Sequence, residues 1–384
     1  MENSNQYINS VVRLRKELHK NPEVSGKEVE TAKRVISFLE NYPPDELIAG
    51  LGTTGFIAIY KGKSAGKTVL FRCELDALPI EETNTFEHRS LINGVSHKCG
   101  HDGHMAILCG LAIELHQKKP ESGTVILLFQ PAEEDGSGAQ KVLLDPKFAL
   151  LQPDYVFALH NLPGFPIHQI IVKNETFTCA VNSIIIKLKG KTAHAGEPEK
   201  GINPALAIAA IINEFNVAIQ SDPTKENYCL ITPIYSKIGK KAYGVSAGIG
   251  EIHFTVRSDS NLQMRNIELA LENLAQSIAK AHQLKCKTSW TQSFQANEND
   301  KTAVTFIKKA ANFNDFELFE KEKPFTWGED FGLFTQHYPG AMFGLGSGIN
   351  TPALHNPDYD FPDEIIVTGI AVFHHISKQI TNAY

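Results

Sequence analysis

One sequence feature most constrains how this chain folds. Apolar segments alternate along it, and several are followed directly by side chains that can bind metal ions. Apolar runs predict strands, and apolar residues at helical spacing predict helices, in alternation along the first half of the chain. The predicted strands are Gly55–Tyr60, Thr68–Cys73, Thr124–Phe129 and Tyr155–His160, and the predicted helices are Ile8–Lys20, Glu28–Glu40 and Gly103–Gln117. This alternation predicts an α/β fold with a mostly parallel sheet flanked by helices on both faces.

Polar residues follow the predicted strands at their carboxyl ends. Glu74 and Asp76 come just after the strand that ends at Cys73, and Glu133 and Glu134 follow the strand that ends at Phe129. His160 closes its own predicted strand. Ligands of open α/β sheets bind at this edge, so we expect these side chains to meet in one cleft.

The segment His97–His104 (HKCGHDGH) is dense in metal-binding side chains. Cys99 as a thiolate and His101 as a neutral imidazole are donors that zinc-like ions prefer, and the glycines let the backbone wrap closely. Histidine-rich turns also cap helices or pack on surfaces. The carboxylate pair beyond Phe129 favours the metal interpretation over those alternatives.

Two adjacent carboxylates, Glu133 and Glu134, lie where Pro131 and Gly136 turn the chain. Adjacent residues need not share one role. If Glu134 binds a metal ion, Glu133 is free to act as a base toward a water that the cation activates. An acidic surface turn before a helix is the alternative.

From about Asn182 the order of the predicted elements changes. The sequence there predicts a small α+β domain with the order βαββαβ. Its elements are Ser183–Lys189, Asn203–Ser221, Tyr228–Tyr235, Ile249–Arg257, Leu262–His282 and Lys285–Phe294. A strand at Ala341–Gly346 and a helix near Asp363–Lys378 then rejoin the first sheet. We predict a catalytic metal-binding domain of residues 1–181 and 295–384, with 182–294 inserted as a lid or dimerisation domain.

Composition excludes several classes of function. The chain has 384 residues, 42% of them hydrophobic, enough for two cores, and its net charge is −6. The sequence has no run of Lys and Arg interleaved with aromatic residues that could bind a phosphate backbone, so nucleic acid is not an expected partner. No apolar stretch predicts a membrane span or a signal peptide, and the six scattered cysteines predict reduced thiols in a cytoplasmic protein.

Several motifs, in order along most of the chain, carry a resemblance to a known family. They are Arg72–Ile80 (RCELDALPI), Cys99–His104 (CGHDGH), Gln130–Glu134 (QPAEE), Ala158–His160 (ALH) and Gly328–Phe331 (GEDF). The set resembles the N-acyl-amino-acid amidohydrolases, and within them the hippurate hydrolase and auxin-conjugate hydrolase branch of the aminoacylase and carboxypeptidase metallopeptidase family.

The resemblance implies an active site with two divalent metal ions per subunit, which the mixed donors leave open as Zn, Mn, Co or Ni. The implied ligands are Cys99, which bridges the ions, together with His101, Glu134, His160 and His355. Glu133 becomes the general base that deprotonates the attacking water and passes the proton to the leaving nitrogen. Asp76 is placed to steady a metal histidine, or is a structural residue at a strand end.

The inserted domain carries two further residues that match the family. His194 matches a histidine that stabilises the oxyanion, often in the partner subunit's active site, which predicts a homodimer through the inserted domain. Without the match it is a surface histidine. Arg257 is a candidate contact for the substrate, but the run Gly244–Ala247 departs from the family pattern, and Glu74 stands where other branches place a metal histidine.

The favoured function is therefore a metal-dependent amidohydrolase that cleaves the amide bond of small-molecule N-acyl amino acids. A dipeptidase or carboxypeptidase would use the same metal machinery with a different pocket. A non-catalytic, metal-dependent binder on the same scaffold is a third interpretation, because folds are reused for many functions. The acyl group, the amino acid and the native metal stay open.

Overall fold

The computed structural model of the chain describes residues 2–222, 225 and 228–381. The described residues form two compact units, the first within Met1–Phe177, Asn297–Glu322 and Glu329–Tyr384, and the second within Thr178–Ala296 and Lys323–Gly328. None of the helices in these described ranges combines the length and the apolar composition that a bilayer crossing requires.

Helices are interspersed with strands along the described chain. The chain begins with α1 (Glu2–Lys20), α2 (Val29–Leu39), β1 (Glu46–Leu51), β2 (Gly55–Lys61), β3 (Ser64–Glu74), α3 (His101–Gln117), β4 (Ser122–Gln130), α4 (Gly138–Leu143), α5 (Pro146–Ala149), β5 (Tyr155–Leu162), β6 (Ile170–Val172) and β7 (Glu175–Thr178). It continues with β8 (Ala180–Lys189), β9 (Ala193–His194), α6 (Ala205–Val217), β10 (Cys229–Ile238), β11 (Val245–Ser246), β12 (Ile249–Ser258), α7 (Asn261–Ala281) and β13 (Lys285–Phe294). It ends with β14 (Asn297–Asn299), α8 (Lys301–Phe313), β15 (Leu318–Glu320), α9 (Gly332–Thr335), β16 (Gly340–Gly346) and α10 (Ile366–Thr381).

The first unit is built on an eight-stranded sheet of order β1-β2-β4-β3-β5-β16-β6-β15. Its central strands β4, β3, β5 and β16 are all parallel, whereas β1, β2 and β6 join through antiparallel pairings. The predicted α/β fold with a mostly parallel sheet is confirmed. The short strands β6 and β15 escaped prediction because three residues carry no readable periodicity.

Both faces of this sheet are buried, as parallel sheets require. On β3, Phe71 and Cys73 belong to a core that includes residues of α1, α3, α8 and α10, while Leu70 and Arg72 on the opposite face are equally buried. Helix α3 is buried on nearly all sides. The polar residues at its first turn are therefore enclosed in the protein.

His160 does not close its strand, contrary to the prediction. Strand β5 continues to Leu162, because β16 pairs with it in parallel as far as Gly346. His160 lies opposite Gly344 in this register. His160 therefore lies two residues before the carboxyl end of β5, where β5 is still paired with β16.

The second unit has an antiparallel sheet of order β10-β12-β8-β13, in which the chain follows the predicted βαββαβ order. Ile184 and Phe254 enter a core shared with α6 and α7, whereas Ile185 lies on the other face of β8. The segment Lys323–Gly328, which the predicted boundaries place in the catalytic domain, belongs to this unit. Arg257 Nη1 donates to the Thr326 carbonyl at 2.7 Å and helps to hold it there.

Neighbouring positions on β8 test which face of the second sheet is covered. Ile184→Ala should lower the free energy of unfolding of this unit by about 2–5 kcal/mol, because Ile184 is fully buried. Ile185→Ala removes the same atoms from the half-buried face and should cost clearly less. Urea denaturation followed by tryptophan fluorescence measures both, and equal losses would contradict a one-sided core.

Candidate metal centre

The five side chains predicted as metal ligands approach one another in the first unit. Cys99 Sγ lies 3.4 Å from His160 Nε2. Glu134 Oε1 lies 3.9 Å from His101 Nε2 and 3.8 Å from His355 Nε2. Donor atoms of these residues form overlapping groups in which all members lie within 4.8 Å of one another. Donors at the start of α3, after β4 and on β5 thus meet the His355 loop, as expected for the carboxyl edge of a parallel sheet.

Gly100 lets Cys99 and His101 present their side chains from either side of one sharp turn. It precedes α3 with a left-handed φ of 97°. A Cβ atom built on this residue would lie 2.6 Å from Asn161 Oδ1. Glycine is therefore required twice over, for its backbone conformation and for the close approach to β5.

Two non-glycine residues at the site also have left-handed backbones. Ala132, just before the carboxylate pair, has φ 51°, and His355 has φ 66°. The Ala132 amide donates to Glu28 Oε1 at 2.9 Å, and the His355 amide donates to the Lys98 carbonyl at 2.8 Å. Such conformations cost energy and persist where the surroundings hold them, which is common at functional sites.

Hydrogen bonds fix the orientation of His101 and His160, the two buried histidines among the predicted ligands. His101 Nδ1 donates to the Asp76 carbonyl at 2.8 Å, and His160 Nδ1 donates to the Asn161 carbonyl at 3.0 Å. A carbonyl only accepts, so Nδ1 of each ring carries a proton and Nε2 is the ring atom left to bind a metal ion. The Asp76 carboxylate accepts a hydrogen bond from the Glu134 amide at 3.0 Å. Asp76 therefore contacts two predicted ligands, His101 and Glu134.

The donor set fits a divalent cation. His101 Nε2 and Glu134 Oε1 are buried and have no hydrogen-bond partner, although buried polar atoms are nearly always satisfied. Sulfur, nitrogen and carboxylate oxygen together are the donors used by zinc and similar ions. Two ligands of one tetrahedral zinc lie about 3.4 Å apart, close to the separations within this cluster.

Burial and negative charge together shift the pKa values of the site. Burial lowers the pKa of His101, but Glu74 and Asp76 outweigh it and raise the value to about 10. Burial raises the pKa of Glu134 to about 7, against the opposing charge of His101. Both shifts show that the site favours added positive charge, which a metal ion would supply.

Glu133 is buried beside the cluster, with Oε2 3.9 Å from His101 Nε2. Its carboxylate and those of Glu329 and Asp330 offer oxygens within 4.8 Å of one another. Burial raises the pKa of Glu133 well above its usual range, and the charge of Glu329 adds to the rise. The carboxyl group therefore holds a proton readily, as a general acid and base must.

Arg72 is a structural centre of the site to which the sequence analysis assigned no role. Its fully buried guanidinium contacts Glu74, and it donates to Gln130 Oε1 at 2.9 Å, to Glu329 Oε1 at 2.8 Å and to Asp330 Oδ1 at 2.5 Å. The motifs that include Arg72 and Glu329 were visible, but their spacing of more than 250 residues gives no sign of contact.

Glu74 hydrogen bonds to His104 rather than standing alone at the strand end. His104 Nδ1 lies 2.6 Å from Glu74 Oε2, and His104 Nε2 lies 2.6 Å from Asn161 Oδ1. His104 follows His101 by three residues on α3, and such residues share a helix face. That spacing was the available signal for a second buried histidine on α3.

His194 and Arg257 belong to the second unit and are not members of the cluster. His194 is exposed on β9, which pairs with β11 so that His194 lies opposite Val245. Its Nδ1 accepts from the Gly196 amide at 3.1 Å. The run Gly244–Ala247, which departs from the expected pattern, is thus the direct neighbour of His194.

Comparison with known proteins identifies the family of the chain. A model of Peptidase family M20/M25/M40 matches residues 70–379. The chain belongs to this family. As a member of M20/M25/M40 it is a hydrolase that acts on amide bonds, so the predicted reaction class is confirmed, as is the family in its broad sense.

Similar proteins span nearly the full length of this family member. N-acetylcysteine deacetylase of Bacillus subtilis is 30% identical over 364 residues, covering 94% of this chain and 94% of the relative. An N-acetyldiaminopimelate deacetylase of Exiguobacterium sibiricum is 29% identical over 376 residues, covering 96% and 98%. The crystal structure of a dinuclear metal-binding M20 peptidase of Bacillus subtilis matches with a TM-score of 0.85 at 27% identity, over 99% of this chain and 100% of that chain.

Substitution of Gly100 should damage both folding and metal binding. Gly100→Ala forces a left-handed alanine against Asn161, so we expect a loss of about 1–3 kcal/mol in the free energy of unfolding and a reduced metal content. Gly164→Ala is the matched control, because Gly164 has φ 87° but nothing within 4 Å of its Cβ position. If both variants bound metal equally well, the close contact with Asn161 would not position the ligands.

Proposed function

We propose that this member of the M20/M25/M40 family is a metal-dependent amidohydrolase that releases the acyl group from N-acyl amino acids. The observation that carries the proposal is the meeting of five donor side chains with a buried, separate carboxyl group at Glu133. Relatives named as deacetylases of N-acetylcysteine and N-acetyldiaminopimelate support acylated amino acids as the substrate class. Placement in the hippurate and auxin-conjugate hydrolase branch rests on the sequence motifs alone.

Two divalent ions would be held by the side chains of the candidate metal centre, which are Cys99, His101, Glu134, His160 and His355. When bound, such ions would supply Lewis-acid polarisation of the amide carbonyl and would lower the pKa of the attacking water. The metal-binding description of the similar M20 peptidase agrees with this assignment. Zn, Mn, Co and Ni all suit the donors.

Glu133 carries the proton in the proposed reaction. It takes a proton from the attacking water and delivers it to the leaving nitrogen, so one carboxyl group serves as base and then as acid. Asp76 positions the site, since its carbonyl holds His101 and its carboxylate holds the Glu134 amide. We assign His194 to the oxyanion and Arg257 to the substrate carboxylate, in line with the family resemblance.

A dipeptidase or carboxypeptidase is the alternative, because the family name covers peptidases and the metal residues would be the same. A panel of N-acetyl amino acids, N-benzoyl amino acids and unmodified dipeptides separates the two. The proposal expects hydrolysis of acylated amino acids to dominate. Comparable release of free amino acids from dipeptides would favour the alternative, and binding without any hydrolysis would favour a non-catalytic binder.

Removal of the proposed base should separate metal binding from hydrolysis. Glu133→Gln keeps the shape of the side chain but cannot accept the water proton, so turnover of N-acetyl amino acids should fall at least about a hundredfold. Metal content, measured by plasma mass spectrometry, should match that of the wild type. Asp135→Asn changes an exposed neighbouring carboxylate and should leave turnover unchanged. Retained hydrolysis by Glu133→Gln would falsify the assigned base.

A mixing experiment tests the proposed homodimer and the role of His194. Glu133→Gln and His194→Ala should each be nearly inactive alone. If His194 serves the partner's site, a co-expressed heterodimer has one site with both groups intact, and activity returns. No recovery in a purified heterodimer would place His194 in its own subunit's site, and a monomer by light scattering would remove the dimer proposal.

A further inference from the structure

A group of lysines on the sheet of the second unit has no part in the proposed reaction. Lys187 and Lys189 on β8 are exposed and flank the buried Leu188. Because strand residues alternate between faces, these lysines project from the face opposite to α6 and α7. Lys285 and Lys287 on β13 are also exposed and lie on the same face.

The strand register places these like charges side by side. Lys189 lies directly opposite Lys285, and Lys187 lies directly opposite Lys287. Cross-strand neighbours have Cβ atoms about 5 Å apart, and like charges at such positions destabilise a sheet. The sheet therefore carries two adjacent repulsive pairs, which a bound anion would relieve.

Little negative charge compensates these lysines. The carboxylate of Glu251 lies opposite Lys187 on β12, and Lys237 on β10 lies opposite Glu251. Glu251 Oε1, however, contacts His253 Nε2 at 2.6 Å. Among the described carboxylates, none comes within salt-bridge distance of the five lysines 187, 189, 237, 285 and 287.

The same lysines line a cavity of about 430 Å³, and its other lining residues include one acidic residue, Glu251, together with Gly239, Ile249 and Gly250. This volume lies within the range of small-molecule sites in proteins, about 300–1,000 Å³. Lysines from β8, β10 and β13 therefore border one space, and Ile249 adds an apolar side chain to its lining. A ligand bound in this cavity would touch several positive charges at once.

Protection of sheet edges explains only part of this pattern. Edge strands often carry lysine to prevent pairing with other chains, which suits Lys237 on β10 and the two lysines on β13. Strand β8 is paired on both sides, so Lys187 and Lys189 protect no edge. Solubility is another reason for surface lysines. It does not require lysines directly opposite one another on neighbouring strands, so it does not explain this pattern.

We propose that this cavity binds a small molecule that carries two or more phosphate groups. Lysine is a common point-charge partner for phosphate, and linked phosphates would contact several ammonium groups in one binding event. The proposal does not depend on the proposed amidohydrolase function. The binding site would lie within the second unit of this chain.

Titration calorimetry of the full-length protein with tripolyphosphate tests the site. We expect saturable binding to one site per chain, and weaker binding of orthophosphate. Lys187→Gln/Lys287→Gln should weaken tripolyphosphate binding at least about tenfold, because two charge-assisted contacts are lost. The same variant should fold with equal or greater thermal stability, since one repulsive pair is removed.

The matched control is Arg265→Gln/Lys280→Gln, which removes two exposed charges from α7 on the covered side of the sheet. Its affinity for tripolyphosphate should equal that of the wild type. Any removal of metal ions by tripolyphosphate would give the same signal in both variants, so the difference between them reports the cavity. Equal weakening in both variants, equal affinity for orthophosphate, or no saturable binding to the wild type would each overturn the proposal.

Discussion

The buried guanidinium of Arg72 is the interaction on which the arrangement of the metal centre depends. A charge with no access to water must be paired and hydrogen bonded, or the fold is strongly destabilised. Arg72 meets this demand through Glu74, Gln130, Glu329 and Asp330, which come from β3, the end of β4 and the segment before α9. Satisfying one cation thus draws three remote parts of the chain to the edge of the sheet that carries the site.

Arg72 does not neutralise all the carboxylates that it gathers. Burial raises the pKa of Glu133 and the remaining negative charge adds to the rise, while negative charge raises the pKa of His101 against the effect of burial. Burial also raises the pKa of Asp330 to about 8, against the effect of Arg72. Excess buried negative charge lowers the free energy of unfolding of the protein without bound cations. It also favours the binding of cations and of protons at the site. The same buried carboxylates therefore both destabilise the site and suit it to bind cations and protons.

Much of the fold and of the site could be predicted from local patterns. The strands that carry Glu74 and His160, and the strand that precedes Glu133, are long and apolar, so the polar residues near their carboxyl ends stand out in the sequence. The strands β6 and β15 are too short to show a period, and the bounds of the second unit depend on Lys323–Gly328, which follows no local signal. The contacts of Arg72 with Glu329 and Asp330, and that of His104 with Asn161, join residues far apart in the chain and leave no local signal.

The sequence by itself determined the α/β class, the order of the longer elements and which polar residues lie near the carboxyl ends of strands, because hydrophobic periodicity and turn residues are local properties. Only the tertiary structure decided which donors meet, that Glu74 pairs with His104, and that Lys187 faces Lys287 across two strands. Such contacts follow from sheet order and register. Those are set by packing over the whole unit, which no single window of sequence contains.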